Sequence, residues 1–76
     1  MSDQQLQHLI HMVNQIAANQ HGDQATAAQR VTTHLQKFWA RSMKAQIIDY
    51  LDSDGSELSP VAREAVADLK RLRQAN

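Results

Sequence analysis

His8 and His11 lie three residues apart, a spacing that lets two imidazoles on one helix reach the same metal ion. At about 100° per residue they point away from the apolar positions around them and toward solvent. A metal centre needs three or four ligands. His34 is the further candidate, and its place at the edge of an apolar stripe fits a core-edge histidine better than a ligand. Asp52-Ser53-Asp54-Gly55 resembles part of a calcium loop. With Gly55 set on the required glycine, Tyr50 falls where the first carboxylate belongs and Val61 where the bidentate one belongs, so the loop fails at both ends. Ser, His and Asp are all present, but no spacing joins them into a nucleophile and base beside a pocket. Catalytic and metal-binding residues are therefore expected to be absent.

Other residues suit binding. Arg30, Lys37, Arg41 and Lys44 form a basic stretch with no acid between them, as a helix-turn-helix facing phosphates would require. Asp49 and Asp52 on the would-be reading helix would repel those phosphates, so this DNA-binding reading, like a small metal-binding helical domain, is an alternative only. Asn14 and Gln15 sit mid-helix, where an Asn amide competes for backbone hydrogen bonds. They could be plain helix surface or an amide pair that recognises a partner's backbone. Phe38-Trp39 is the largest apolar mass in the chain. It reads as core, with the second reading that Trp39 protrudes as an anchor, since Trp is favoured at interface hot spots.

The elements that must position these residues all read as helix: Ala, Gln, Leu, Lys and Arg abound and alternating β-branched runs are missing. The first helix is expected from about Asp3 to Asn19, opened by a Ser2–Gln5 capping box. Its buried stripe is Leu6, Leu9, Ile10, Val13, Ile16 and Ala17. Gly22 can take φ > 0, and Asp23 can cap a second helix, Gln24 to Trp39, striped by Ala28, Val31, Leu35, Phe38 and Trp39. A third helix, Arg41 to Ser53, uses Met43, Ile47, Ile48 and Leu51. No Gly or Pro separates it from the second, so the two could be one kinked helix. Gly55 suits a left-handed cap. Ser59 and Pro60 are N-cap and first helical residue of a fourth helix, whose stripe is Ala62, Ala65, Val66 and Leu69, with Lys70, Arg71 and Arg73 at its negative end. The expectation is an all-α fold, a small antiparallel bundle of about four helices, in one domain over residues 1–76.

Seventy-six residues with eight basic and eight acidic side chains and formal charge +0 do not indicate a basic nucleic-acid binder, and the absence of Cys excludes disulfide scaffolds, Cys-type zinc sites and thiol catalysis. No long apolar run or signal-like start is visible, so the expected setting is cytoplasmic and away from membranes. Hydrophobic residues make up 42% of the chain, but eleven of them are Ala. One small core of this kind seldom supplies more than about 3–5 kcal/mol. Stabilisation by docking, on a second copy or on a larger partner, is therefore expected.

Three segments carry a family resemblance: His8-Leu9-Ile10-His11-Met12-Val13-Asn14-Gln15-Ile16-Ala17; His34-Leu35-Gln36-Lys37-Phe38-Trp39 with Met43 following; and Leu58-Ser59-Pro60-Val61-Ala62-Arg63-Glu64-Ala65. In this order they resemble the small delta subunit of NAD-dependent formate dehydrogenases, over about residues 7–69. That family usually has Pro where this chain has Arg41, and an aromatic pair where it has Ala18-Asn19. The resemblance implies a non-catalytic accessory subunit of a cytoplasmic complex that oxidises formate to carbon dioxide, serving assembly or stability. It places the molybdenum or tungsten pterin, the iron–sulfur clusters, the flavin and the NAD site on partner subunits. A chain without Cys could not ligate a standard cluster. Partners would be the large catalytic subunit and the other subunits, with a homodimer of the isolated chain open. The expected contact face is Asn14, Gln15, Phe38, Trp39, Arg41, Met43 and Arg63.

Overall fold

A computed structural model describes residues 4–74 as four helices: α1 (Gln4–Ala18), α2 (Gln24–Phe38), α3 (Arg41–Ser53) and α4 (Pro60–Gln74). There is no strand among the described residues. The Ser2–Gln5 capping box and a start at Asp3 lie outside them.

Local chemistry sets each boundary. After α1 the chain turns through Gly22 at φ 101°. The Asp23 carboxylate then accepts the Thr26 N–H at 2.9 Å and caps α2. Hydrogen bonding from the Thr26 hydroxyl, then from the Thr26 N–H, holds the Asp23 pKa below its ordinary value. At the other end, Asp54 closes α3 by donating its N–H to the Tyr50 carbonyl at 2.9 Å. Gly55 follows at φ 69°, where a Cβ would come within 3.2 Å of the Leu51 carbonyl oxygen. Glycine is therefore favoured there by its left-handed conformation and by the tight space beside the Leu51 carbonyl. Ser59 Oγ accepts the Ala62 N–H at 3.3 Å, and Pro60 opens α4.

Helices α2 and α3 are separate. Trp39 (φ −89°, ψ 139°) and Ala40 (φ −65°, ψ 156°) are both extended, a region open to any L-residue, so the break needs neither Gly nor Pro. Arg41 is the first residue of α3. A Pro there would meet an ideal setting: a helix N1 position preceded by a residue already at ψ 156°. Arg41 thus occupies a Pro-compatible corner that holds its shape without Pro.

One core joins the four helices. It contains Leu9, Ile10, Val13 and Ala17 of α1, Ala28, Val31 and Leu35 of α2, Ile47 and Tyr50 of α3, and Ala62, Ala65, Val66 and Leu69 of α4, with Trp39 and Leu58 from the connections. Leu6, Ile16, Met43, Ile48 and Leu51 pack half-buried against it. The most extensive packing is between α2 and α4. Ala28, Ala62 and Ala65, fully buried, let these helices approach closely. Thr32, the buried polar residue at this seam, places its hydroxyl 2.8 Å from the Ala28 carbonyl and 3.1 Å from the Ala65 carbonyl, so its one proton is shared across the helices. The two run in the same sense: Gln24 meets Glu64, and the corner after α2 meets Arg73. By contrast α3 and α4 are antiparallel, with Arg41 near Arg73 at one end and Gly55 near Arg63 at the other.

The stripe on α2 needs one correction. Phe38 is not core; it is 70% exposed. It lies about 60° around the helix from Leu35 and is the last helical residue. The extended backbone that follows turns Trp39 inward in its place.

Candidate interaction surface

Asn14 projects from α1 onto the segment between α3 and α4. Its Nδ2 donates to the Glu57 carbonyl at 2.8 Å, and its Oδ1 accepts the Ser59 N–H at 2.9 Å. The amide does read backbone in both directions, but the backbone is that of its own chain. Two other helices hold the same segment. The Glu57 N–H donates to the Tyr50 hydroxyl at 2.9 Å, and Arg63 Nη2 donates to the Gly55 carbonyl at 2.8 Å. Residues 55–59 are thereby tied to α1, α3 and α4 by one side chain each. Tyr50 has no place in the stripe expected for α3, although it stands three residues after Ile47, a spacing that could have included it.

The remaining expected contact residues divide by exposure. Gln15 is exposed, with Nε2 3.4 Å from His11 Nε2. Met43 is half-buried against the core. Trp39 is 5% exposed, and its indole N–H is buried without a hydrogen-bond partner. The protruding-anchor reading of Trp39 is therefore replaced by the core one, and Phe38 holds the exposed position. The Phe38 ring tilts 45° against His34, with centroids 4.9 Å apart. Beside it Lys37 and Arg41 are exposed, Lys44 is half-buried, and Arg73 Nη1 reaches the Arg41 carbonyl at 3.5 Å. The structure thus brings Phe38, Lys37, Arg41 and Lys44 together at the α2–α3 corner, whereas Arg30 reaches back to the His21 carbonyl before α2 at 2.8 Å. Asn14 and Arg63 belong to a different place, around residues 55–59.

The chemistry available elsewhere is limited. No group of three or more His, Asp or Glu side chains among the described residues could hold a metal ion. Asp54 and Gly55 are engaged in a helix terminus, with Asp54 Oδ2 accepting the Ser56 hydroxyl at 3.0 Å and the Gly55 carbonyl taken by Leu58 and Arg63. An open groove of about 430 Å³ runs between α2 and α4. It is lined by the amides of Gln29 and Gln36, the hydroxyls of Thr32 and Thr33, and the Asp68–Arg71 ion pair. The two amides can hydrogen-bond a ligand, whereas the Thr32 and Thr33 hydroxyls already donate to the Ala28, Ala65 and Gln29 carbonyls, and the groove offers no nucleophile with an adjacent base. None of the helices among the described residues is long and apolar enough to cross a membrane.

Residues 8–66 match the model of one protein family, described as NADH-dependant formate dehydrogenase delta subunit FdsD. The match spans Asn14, the Phe38–Trp39 corner and Arg63 alike. No curated protein and no solved structure matches the chain.

Proposed function

The chain belongs to the family of delta subunits of NADH-dependent formate dehydrogenase, and on that premise we propose that it works by binding, as a non-catalytic accessory subunit that assembles or stabilises the formate-oxidising complex in the cytoplasm. Its partners are the large catalytic subunit and the other subunits. The molybdenum or tungsten pterin, iron–sulfur clusters, flavin and NAD belong to those partners. This chain lacks the thiolates that a standard iron–sulfur cluster needs. Of the residues singled out in the sequence, Asn14, Trp39 and Arg63 serve the fold that presents the contact face. Gln15, Phe38, Arg41 and Met43 meet the partner.

The observation that carries this reading is the family match over 59 of 76 residues, counted from residue 8 to residue 66. The division of labour among side chains supports it: the polar groups of the matched segments hold the molecule's own backbone, while a large aromatic is left in solvent. Co-expression with the catalytic subunit tests it. The chain is expected to co-elute with that subunit, and omitting it should lower the yield of active complex. Formate oxidation by the purified chain alone would overturn the proposal.

A further inference from the structure

The chain is neutral as a whole, but its charges are segregated. Between Asp23 and Asp49 there is no acidic residue, and Arg30, Lys37, Arg41 and Lys44 give residues 24–48 four positive charges. The other half of the bases share the rest of the chain with all eight acids. Several of those acids are engaged: Asp52 with Lys70, Asp68 with Arg71, Glu64 with Gln24, and Asp23 in its cap. No ion pair neutralises Lys37, Arg41 or Lys44 among the described residues. Arg30 reaches back to the His21 carbonyl before α2, so it is Lys37, Arg41 and Lys44 that flank the corner between α2 and α3, and Arg73 is brought to the same corner from α4.

Phe38 stands in the middle of this field. The other two aromatics of the Phe, Trp and Tyr set, Trp39 and Tyr50, are buried, whereas Phe38 keeps 70% of its surface in water. Its ring packs at a tilt against His34, and the next residue, Trp39, is buried. An exposed aromatic flanked by cations without ion pairs has the make-up of an interface anchor with a charged rim.

We infer that this corner docks into an apolar pocket rimmed by carboxylates on a folded partner subunit, with Phe38 as the inserted anchor and Lys37, Arg41 and Arg73 as its rim. The inference rests on the accessory-subunit reading above and adds the chemistry of the surface that receives this chain. A second copy of the chain is the poorer occupant. A two-fold contact sets the same patch against itself, and Lys37 and Arg41 would face their own copies. The cations alone would also suit nucleic acid, but Asp49 and Asp52 on α3, which follows this corner, would repel its phosphates.

The test uses the full chain co-expressed with the catalytic subunit of formate dehydrogenase, captured at low and at high salt. Phe38→Ala and the pair Lys37→Glu/Arg41→Glu are each expected to weaken capture by about tenfold or more. Capture of the unaltered chain should fall as salt rises. Both variants change exposed side chains, so their far-ultraviolet circular dichroism should match that of the unaltered chain. If both variants are captured as well as the unaltered chain, the corner is not the contact, while the accessory-subunit reading stands. If the unaltered chain itself is not captured, both fall together. A dimer abolished by Phe38→Ala, or duplex DNA retained by the unaltered chain and released by the charge reversals, would also overturn the proposal in favour of those occupants.

Discussion

Asn14 bridges to Glu57 and Ser59, 43 and 45 residues away, with one side-chain amide. Truncation to Ala leaves the Ser59 N–H and the Glu57 carbonyl without their partners. A buried group left unpaired costs about 1–3 kcal/mol. Glu57 is exposed, so water can replace the amide there, and the loss should fall toward the lower end. Urea denaturation of Asn14→Ala should show it as a lower midpoint with an unchanged slope. Asn14→Asp keeps the acceptor for Ser59 but sets a carboxylate against the Glu57 carbonyl. It should lie no closer to the unaltered protein than the loss of one hydrogen bond allows. The residue type was legible in the sequence: a mid-helix Asn suited to reading backbone. Its partner was not, because only the packing of α1 against the α3–α4 connection brings positions 14, 57 and 59 together. Phe38 and Trp39 show a related limit. Helical spacing places both near the stripe, and the choice between them is made by two extended residues where the helix stops.

The helices themselves were more readable. The bounds of α3 follow from the sequence, and so do Asp23, Gly55 and the Ser59–Pro60 start of α4, because each acts through neighbours within a few residues. The α2–α3 break could have been one kinked helix, since nothing in Trp39-Ala40 demands an interruption; burial of the indole accompanies it. Two expectations belong at this scale. Hydrogen bonds from Thr26 hold the folded-state pKa of Asp23 below its ordinary value, so its ionised cap stabilises α2 above the unfolded-chain pKa and is lost as pH falls through the folded one. Asp23→Ala should therefore melt below the unaltered protein near neutral pH, and the gap should narrow in acid. Arg41→Pro should be tolerated, because Ala40 already has the backbone that Pro imposes on its predecessor and the N–H lost is one a helix start leaves unbonded. Thermal melting should show no loss of stability, or a gain of about 0.4–1 kcal/mol from the stiffer unfolded chain.

At the scale of the molecule, sixteen buried apolar residues among those described, five of them Ala, form a thin core. Trp39 is its largest side chain. Replacing a core Trp by Ala costs about 3–5 kcal/mol, comparable with what one core of this size supplies. Trp39→Ala is therefore expected to lose most of its helical circular dichroism at room temperature. Trp39→Phe, which also removes the unpartnered N–H, should stay folded. A chain held so marginally should melt higher when its partner subunit is present in excess, by mass action. The grip of α1 on residues 57–59 has one more consequence. Contacts between such distant stretches must wait until the intervening chain has been drawn together, which costs loop-closure entropy. They should form after the rate-limiting barrier, so in stopped-flow experiments Asn14→Ala should hasten unfolding and leave the refolding limb of the chevron almost unmoved.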